Sequence, residues 1–346
     1  LGLASCTCCQ AGFGKSGARF IVSTIFAVNM IGWFGIQNGV CGEAFSNAML
    51  AMTGWDIPVV VSNTIWGIIM LLTAVYGVHA LEKLDKISIP LLMIIMCYGI
   101  FLAFKVYGTG NLNDEGTVQS MSFMSGVALS FNFTAVGTIT GPDYTRFQKS
   151  RKDTVKSVFY GVFPMGVITL IMGIVLTKLS GQYDISMVLI EVGLPLLGII
   201  ALVISTWTTN STNAYSAGLN IVMALKLKDN RRREATLISG IVGIVLCDLG
   251  ILGHVEGVLS LLSYVVCPVG GVILADYWVV GKGKAKNFRP QDGVNWAGVI
   301  AWALGAIISY TLVKIEFVGI IIGFVIYLIA ERFIPSASRD NAENIA

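Results

Sequence analysis

The chain has 346 residues, of which 55% are hydrophobic and 12% are charged, and its formal net charge is +3. This composition excludes a water-soluble domain, because too much apolar surface would face water, and it indicates a protein that crosses a membrane many times. The small net charge gives no reason to expect a nucleic-acid partner, and the basic residues are interpreted as signals of membrane topology.

Apolar runs of about 20 residues, the length that crosses a bilayer, recur along the whole chain and predict ten membrane-spanning helices. The predicted spans cover residues 18–47, 57–78, 87–105, 118–140, 155–178, 187–225, 235–253, 257–280, 293–313 and 315–333. The run at 187–225 is too long for one span, so we expect a short outer helix near 185–191 before it, separated by Gly193 and Pro195.

The basic residues fall almost entirely on one side of this topology. Of the 23 Lys and Arg residues, 20 lie on that side, and only Lys105, Lys178 and Lys314 do not. Because cytoplasmic loops carry an excess of Lys and Arg, both ends of the chain are predicted to be cytoplasmic. The expected divisions are a cytoplasmic lead at 1–17, a transmembrane domain at 18–333 and a cytoplasmic tail at 334–346.

The first polar cluster within a span is NMIGWFGIQNG, residues 29–39. Trp33 and Gln37 are four residues apart and share one helix face, which places an indole ring beside an amide that both donates and accepts hydrogen bonds. Trp33 could instead be a lipid or interface anchor, although it lies well inside the span. The pair indicates a site that stacks on a ligand and hydrogen-bonds to it.

The second cluster is SFNFTAVGTITGPDY, residues 130–144, at the end of a span. Gly137, Gly141 and Pro142 among Thr residues are typical of a broken helix with free backbone groups near its break. The spacing of Gly137 and Gly141 is equally typical of close helix packing, so both interpretations stay open.

The third cluster begins with WTTNSTN between two apolar runs. Ser205, Thr208 and Thr209 occupy positions i, i+3 and i+4, so a carbonyl and two hydroxyls converge on one helix face, and hard oxygen ligands of this kind suit an alkali cation. The Thr hydroxyls could instead bond to carbonyls of their own helix. Asn210 and Asn213 each carry an amide that needs partners, as in a ligand site or an interhelical clamp.

A planar heterocycle would explain the three clusters together. Aromatic rings would stack on its faces, amides would bond to its ring nitrogens and carbonyl, and a nearby cation would couple its entry to an ion gradient. Unpaired polar groups in hydrocarbon each cost on the order of several kcal/mol, so such a polar belt is expected to face protein, water or a ligand.

Five segments, in order along the chain, resemble one transporter family. They are GWFGIQ (32–37), GPDYTRF (141–147), WTTN with the later YSAGLN (207–220), PVGGVILADYW (268–278) and VNWAGVIAWALG (294–305). The family is the nucleobase:cation symporter-1 family, and within it the chain resembles the bacterial cytosine permease branch. The resemblance extends over essentially the whole chain, and PVGGVILADYW with its downstream Asn-Trp pair is the most specific part.

The resemblance implies an all-α polytopic fold with the five-plus-five inverted repeat of the sodium-coupled leucine-transporter type, normally followed by two further helices. Family members have twelve spans and this chain shows about ten, so its spans match family helices 3 to 12. Helices 1 and 2 are then expected to be absent from this sequence, as in a fragment of a longer protein or a truncated gene product. Family helix 1 supplies backbone oxygens to both the sodium site and the substrate site.

The resemblance also implies roles for individual residues. Trp33 would stack on one face of the base, and Phe133 would cover the other. The implied hydrogen-bonding partners are Gln37, Asn210 and Asn213, with Asn132 and Thr134 as weaker candidates. The Ser205 carbonyl and the Thr208 and Thr209 hydroxyls match the helix 8 half of the family's sodium site.

The implied function is secondary active import of a neutral nucleobase, cytosine first, by symport with sodium or a proton. No enzymatic chemistry and no bound cofactor are expected, and the protein is expected to act as a monomer. Asp143 and Glu43 are the ionisable residues nearest the spans that proton coupling could use, although both are also interpreted as interface charges at helix ends.

Other interpretations stay open. The substrate could be another small heterocycle, such as uracil, allantoin, a hydantoin or hydroxymethylpyrimidine, because these differ by single hydrogen-bond donors or acceptors. The chain as it stands could also be an inactive fragment that merely inserts into the membrane. A membrane enzyme is disfavoured, because the two histidines, His79 and His254, lie on opposite sides and no carboxylates are paired at catalytic spacing.

Overall fold

The computed structural model describes residues 2–113, 122–181 and 185–334, and every regular element in these ranges is helical. The α-helices of the described residues are α1 (Ser5–Cys8), α2 (Gln10–Gly17), α3 (Ser23–Thr53), α4 (Val59–Tyr76), α5 (Val78–Tyr107), α6 (Phe123–Ile139), α7 (Gly141–Thr145), α8 (Arg151–Lys156), α9 (Phe163–Ser180), α10 (Ile185–Glu191), α11 (Pro195–Ala224), α12 (Arg232–Asp248), α13 (Val255–Leu274), α14 (Trp296–Ile308) and α15 (Val318–Phe333). Short π-helical turns adjoin some of them, at Ala18–Val22, Ser157–Val162, Ala275–Val280 and Ser309–Val313.

Each of the ten predicted spans corresponds to a helix or a continuous helical run. The runs long and apolar enough to cross a membrane, within the described residues, are Gln10–Thr53, Val59–Tyr76, Leu81–Tyr107, Arg151–Ser180, Ile251–Val280 and Trp296–Val313. The other four spans correspond to α6, α12 and α15, with 17, 17 and 16 residues, and to α11, whose 30 residues include the polar belt.

The predicted boundaries agree with the structure before the sixth span, and two other predicted segments extend beyond the described residues. The short helix expected before the sixth span is confirmed as α10, and Gly193, with a φ of 86°, lies between it and α11. Residues 118–121 of the fourth predicted span lie outside the described residues. Residues 335–346 of the predicted tail also lie outside them.

Helix α3 belongs to two hydrophobic clusters and packs extensively against α11. The first cluster joins the first part of α3 to α13, α14 and α15, and it includes Trp33 and the fully buried Tyr327. The second joins the next part of α3 to α4, α11 and α12, and it includes Phe34 and Met70. The two clusters therefore meet at Trp33 and Phe34, in the middle of the bundle.

The segment predicted as a cytoplasmic lead, residues 1–17, is helical from Ser5 and packs against the last helices of the chain. Phe13 within it is fully buried. The backbone N–H of Lys15 donates to the carbonyl of Gln291 at 2.7 Å, and the N–H of Asn295 donates to the carbonyl of Phe13 at 2.8 Å. The lead is thus part of the folded domain.

The two most specific sequence motifs meet at the same place. The Tyr327 hydroxyl donates to the Asp276 carboxylate at 2.9 Å, which ties α15 to the end of PVGGVILADYW. Asn295, of the Asn-Trp pair, accepts the Ala297 N–H on its side-chain oxygen at 3.1 Å and so caps α14. These motif residues therefore hold helices together and do not surround the polar belt.

Gly298 of α14 lies directly against the lead. A Cβ at this position would be 2.0 Å from the carbonyl oxygen of Gly12, a backbone atom that cannot move without displacing α2. We expect Gly298→Ala to destabilise the protein by about 1–3 kcal/mol, as overpacking does, and to lower its thermal unfolding midpoint in detergent. Gly166→Ala in α9 is the control, because a Cβ there meets nothing within 4 Å. Equal losses of thermal stability in the two variants would contradict the close approach of Gly298 to the Gly12 carbonyl.

The helix break predicted in the second cluster is confirmed. Helix α6 ends before Thr140, and α7 follows with a proline in its first turn. The carbonyl of Thr140 accepts the Ser5 hydroxyl at 3.0 Å, so the lead uses an acceptor beside the break. A Cβ at Gly137 or Gly141 would meet nothing within 4 Å, so close packing against another described helix does not explain these glycines.

Candidate functional site

The aromatic rings of Trp33 on α3 and Phe133 on α6 are in contact. Their ring centroids are 5.1 Å apart and their planes make an angle of 75°, an edge-to-face arrangement. Trp33 is 8% exposed, whereas Phe133 is 59% exposed, so packing fixes the indole and leaves the phenyl ring open on one side. A flat ring held between them needs a gap of about 7 Å, two van der Waals contacts, so Phe133 would have to turn away from Trp33 to admit one.

Each of the two helices carries an amide side chain within one turn of its aromatic residue. Asn132, next to Phe133, is 3% exposed, and its side-chain oxygen has no hydrogen-bond partner among the described residues. Gln37, one turn from Trp33, is half-buried. Thr134 is exposed, and its hydroxyl donates to a carbonyl of its own helix at 3.1 Å. Asn132 and Gln37 are therefore better placed to bind a ligand than Thr134.

Asn210 of α11 is completely buried and links three helices. Its Nδ2 donates to the carbonyl of Phe34 on α3 at 3.1 Å and lies 3.5 Å from the Met70 sulfur on α4. The adjacent Ser211 hydroxyl donates to the Met70 carbonyl at 3.0 Å. These contacts make Asn210 an interhelical clamp, one of the two roles that the sequence left open, and its Oδ1 alone has no partner among the described residues.

Asn213, about one turn farther along α11, differs from Asn210. Its side chain is half-buried, and its Nδ2 is buried without a hydrogen-bond partner in the described part of the chain. Leaving a buried donor unpaired costs about 1–3 kcal/mol, which a ligand acceptor would recover. The bundle thus offers an unused donor on α11 and an unused acceptor, Asn132 Oδ1, on α6.

Ser205, Thr208 and Thr209 bring oxygen atoms together on one face of α11, as their spacing predicts. The hydroxyls of Thr208 and Thr209 both donate to the Ser205 carbonyl, at 3.0 and 3.1 Å. The Ser205 hydroxyl points elsewhere and donates to the Leu202 carbonyl at 3.0 Å. The intrahelical bonding that the sequence allowed is therefore present, and a cation at this face would replace two of these hydrogen bonds.

A further set of buried polar groups was missed by the sequence analysis. Asn38, next to Gln37, donates to the backbone carbonyl of Asn63 at 2.9 Å, and Asn63 Nδ2 donates to the Asp248 carboxylate at 3.1 Å. These bonds join α3 to α4 and α12 close to the candidate site. The available signal was Asn63 itself, an amide between Ser62 and Thr64 in the mostly apolar stretch VVVSNTIWG.

The two ionisable residues considered for proton coupling lie apart from the aromatic pair. Glu43 is exposed and ten residues beyond Trp33 on α3, a rise of about 15 Å. Asp143 Oδ1 accepts the Ser5 N–H at 2.8 Å, and the Asp143 N–H donates to the Ser5 hydroxyl at 3.2 Å. This reciprocal pair joins the lead to α7, which gives Asp143 a structural role.

Comparison with known proteins places the chain among permeases. A family described as permeases for cytosine/purines, uracil, thiamine and allantoin matches residues 1–331. The cytosine permease of Escherichia coli K12 is 31% identical over 328 residues, covering 93% of this chain and 75% of the relative. The allantoin permease of Bacillus subtilis is 25% identical over 381 residues, covering 95% of this chain and 77% of the relative.

The fold also matches a solved transporter structure. MHP1, described as a nucleobase-cation-symport-1 family transporter in a closed conformation with bromovinylhydantoin bound, superposes with a TM-score of 0.76. The match covers 96% of this chain and 79% of MHP1, at 19% sequence identity. This agreement confirms the all-α polytopic transporter fold that the sequence predicts.

Proposed function

The chain belongs to the family of permeases for cytosine/purines, uracil, thiamine and allantoin, and on this premise we propose that it imports a neutral nucleobase by cation symport. The observation that carries the proposal is the contact between Trp33 and Phe133, and the unpaired amide atoms of Asn132 on α6 and Asn213 on α11 support it. Aromatic faces with a free donor and a free acceptor suit a flat, uncharged heterocycle.

Cytosine is the first candidate substrate, since a cytosine permease is related over most of its length. Allantoin and hydantoin permeases are related at lower identity, which supports another small heterocycle as the alternative. The candidates differ in single donors and acceptors around one ring. A site that pairs with such groups discriminates strongly, because a mismatched ligand leaves buried polar atoms unpaired.

In the proposed cycle, the base enters between α3, α6 and α11. Trp33, already fixed by packing, stacks on one face, and Phe133 rotates about its side-chain torsions to cover the other. Asn132, Asn213 and Gln37 pair with the rim of the base. Asn210 holds α11 against α3 and so acts as a positioning residue. The filled site then favours the conformation that opens to the other side, as alternating access requires.

For the cation, we propose the Ser205 carbonyl and the Thr208 and Thr209 hydroxyls as ligands on α11. Both hydroxyl oxygens already lie within hydrogen-bond distance of the Ser205 carbonyl oxygen. Uncharged hard oxygens favour an alkali ion such as sodium over a transition metal. These residues provide only one side of a coordination shell.

Proton coupling through Asp143 is the rival to sodium, and a single substitution separates its two possible roles. We expect Asp143→Asn to keep uptake close to wild type, because the amide oxygen can still accept the Ser5 N–H that Asp143 now accepts at 2.8 Å. Asp143→Ala should reduce the protein's stability by removing that acceptor. Loss of uptake in Asp143→Asn, at normal folded yield, would instead support a titrating carboxylate.

We also propose a location and an assembly state. The protein is embedded in the membrane by its long apolar helices. The excess of Lys and Arg on one side supports a cytoplasmic position for that side and for both ends of the chain, in the inner membrane. Nothing in the proposed cycle requires a second copy, so the transporter is proposed to work as a monomer.

The function is tested by uptake of radiolabelled cytosine into cells that express the complete gene product, with and without an inward sodium gradient. Unlabelled uracil, adenine, allantoin and a hydantoin serve as competitors. We expect saturable cytosine uptake that sodium increases. If only another heterocycle is carried, the alternative substrate class is supported. If the protein inserts normally and carries none of them, the proposed substrate class is wrong.

A further inference from the structure

A cavity of about 730 Å³ opens where the basic loops lie, at the end of the bundle that contains the lead. Its walls are the segment 142–155, the last residues of α13 with the following π-helical turn, and the first residues of the lead. The residues proposed above for the base and the cation do not line it. The cavity is therefore distinct from the proposed transport site.

One wall of this cavity is strongly basic. The segment 146–156 contains five Lys or Arg residues and a single acidic residue, Asp153. Arg146, Lys149 and Arg151 line the cavity, and no ion pair among the described residues involves any of them. The Asp153 carboxylate accepts a hydroxyl of its own helix cap at 2.8 Å. The acidic residue that lines the cavity is Asp276, on the facing wall, and its carboxylate accepts the Tyr327 hydroxyl at 2.9 Å. The salt bridges among the described residues leave the positive charge of the basic wall unpaired.

The guanidinium groups on this wall are partly fixed in place. The Arg151 guanidinium carbon lies 5.6 Å from the ring centroid of Trp278 on the facing wall, within range of a cation–π contact. Arg146 stacks on Phe147 at 4.7 Å, and its Nε is buried without a hydrogen-bond partner in the described ranges. Arginines held by aromatic rings, with donors left over, are suited to bind a phosphate in a fixed geometry.

The cavity lies at the end of one of the helical runs that are long and apolar enough to cross a membrane. Trp278 is two residues from the end of the Ile251–Val280 run, one of the helical runs long enough to cross a membrane. Tryptophan at such a position usually lies at the level of the lipid headgroups. Basic pockets between helices at that level bind anionic headgroups, and the surface potential of the inner leaflet adds to the attraction.

We propose that this cavity binds the phosphate group of an anionic phospholipid through Arg146, Lys149 and Arg151. Ser150 and Thr154 also line the cavity, but their hydroxyls already donate within the segment, to the Asp153 carboxylate at 2.8 Å and to the Ser150 carbonyl at 3.2 Å. The three basic side chains are therefore the proposed phosphate ligands. The group that the cavity would bind is a phosphate ester. Free inorganic phosphate carries similar chemistry in solution, so the experiment must distinguish it from the lipid. The site is independent of which base the protein transports.

The test is thermal unfolding of the purified full-length protein in a neutral detergent, with phosphatidylglycerol, phosphatidylcholine or inorganic phosphate added. We expect phosphatidylglycerol at a hundredfold excess over its Kd to raise the unfolding midpoint by about 5 °C, and phosphatidylcholine to leave it unchanged. Arg146→Gln/Lys149→Gln/Arg151→Gln should lose this shift. Lys226→Gln/Lys228→Gln/Arg233→Gln removes the same charge from another basic loop and should keep it.

A second, milder variant controls for misfolding of the triple variant. Lys149→Gln/Arg151→Gln leaves the Arg146–Phe147 contact intact and should still lose at least about half of the shift. An equal loss in the Lys226→Gln/Lys228→Gln/Arg233→Gln control would overturn the proposal, because the attraction would then depend only on total charge. If inorganic phosphate reproduces the shift with the same residue dependence, the phosphate chemistry stands and the lipid source is wrong.

Discussion

Replacing Trp33 with alanine is expected to weaken cytosine binding about 5–150-fold. Stacking of a base on an aromatic side chain is worth roughly 1–3 kcal/mol, and each 1.4 kcal/mol is about tenfold in Kd. The loss should lie toward the upper end, because the indole is 8% exposed and also supports Phe133 at 5.1 Å. Equilibrium binding to the purified protein, followed by uptake at low cytosine concentration, measures the effect.

The control for this experiment is a second edge-to-face pair in the same protein. Trp66 contacts Phe45 with ring centroids 5.3 Å apart and an interplanar angle of 71°, on helices α4 and α3 away from α6. Trp66→Ala should cost stability without changing cytosine affinity, whereas Trp33→Phe should retain most of the binding. Equal losses of affinity in Trp33→Ala and Trp66→Ala would show a general packing effect and remove the stacking role from Trp33.

Thr208→Val/Thr209→Val is expected to make transport insensitive to sodium. Valine keeps the branched shape of threonine but removes both hydroxyl oxygens that now lie 3.0 and 3.1 Å from the Ser205 carbonyl. Losing even an outer-shell partner typically weakens metal affinity by about 10–100-fold, and losing two direct ligands should cost at least as much. The measurement is cytosine uptake as a function of sodium concentration, with residual sodium-independent binding as the internal reference.

Thr212→Val provides the comparison on the same helix. Its hydroxyl donates to the Thr208 carbonyl at 3.0 Å, the same kind of intrahelical bond, but it is not a proposed ligand. Cytosine uptake by Thr212→Val should depend on sodium concentration as it does in the wild type. If the wild type itself responds to pH and not to sodium, the sodium assignment fails, and the coupling residue would have to be found among the ionisable groups.

The sequence was sufficient to locate the helices because hydropathy in a membrane protein depends on local composition. It also located the break at Thr140, since glycine, proline and threonine alter a helix wherever they occur together. It could not choose between the two roles of Asn210. Either a ligand or a contact between helices can satisfy a buried amide. The structure shows that Nδ2 donates to the Phe34 carbonyl at 3.1 Å, while Oδ1 has no partner among the described residues.

The aromatic pair shows the same limit. The resemblance brought Trp33 and Phe133 to one site, and the structure places their rings in contact. The resemblance gave no information about the orientation of the two rings. That orientation depends on side-chain torsions and on what fills the space between the rings. The burial of the lead was equally inaccessible, because its partly polar, glycine-rich sequence is typical of a loop and its partners lie near residue 291.

The attachment of the lead has a consequence for the order of folding. Lys15 and Phe13 leave the ribosome first among these partners, but the backbone groups they bond to, at Gln291 and Asn295, are translated near the end of the chain. Contacts of such long sequence separation form late and slowly. A nascent chain arrested after α13 would leave the apolar side chain of Phe13 uncovered, so unfinished copies should be recognised by membrane proteases before the last two helices are made.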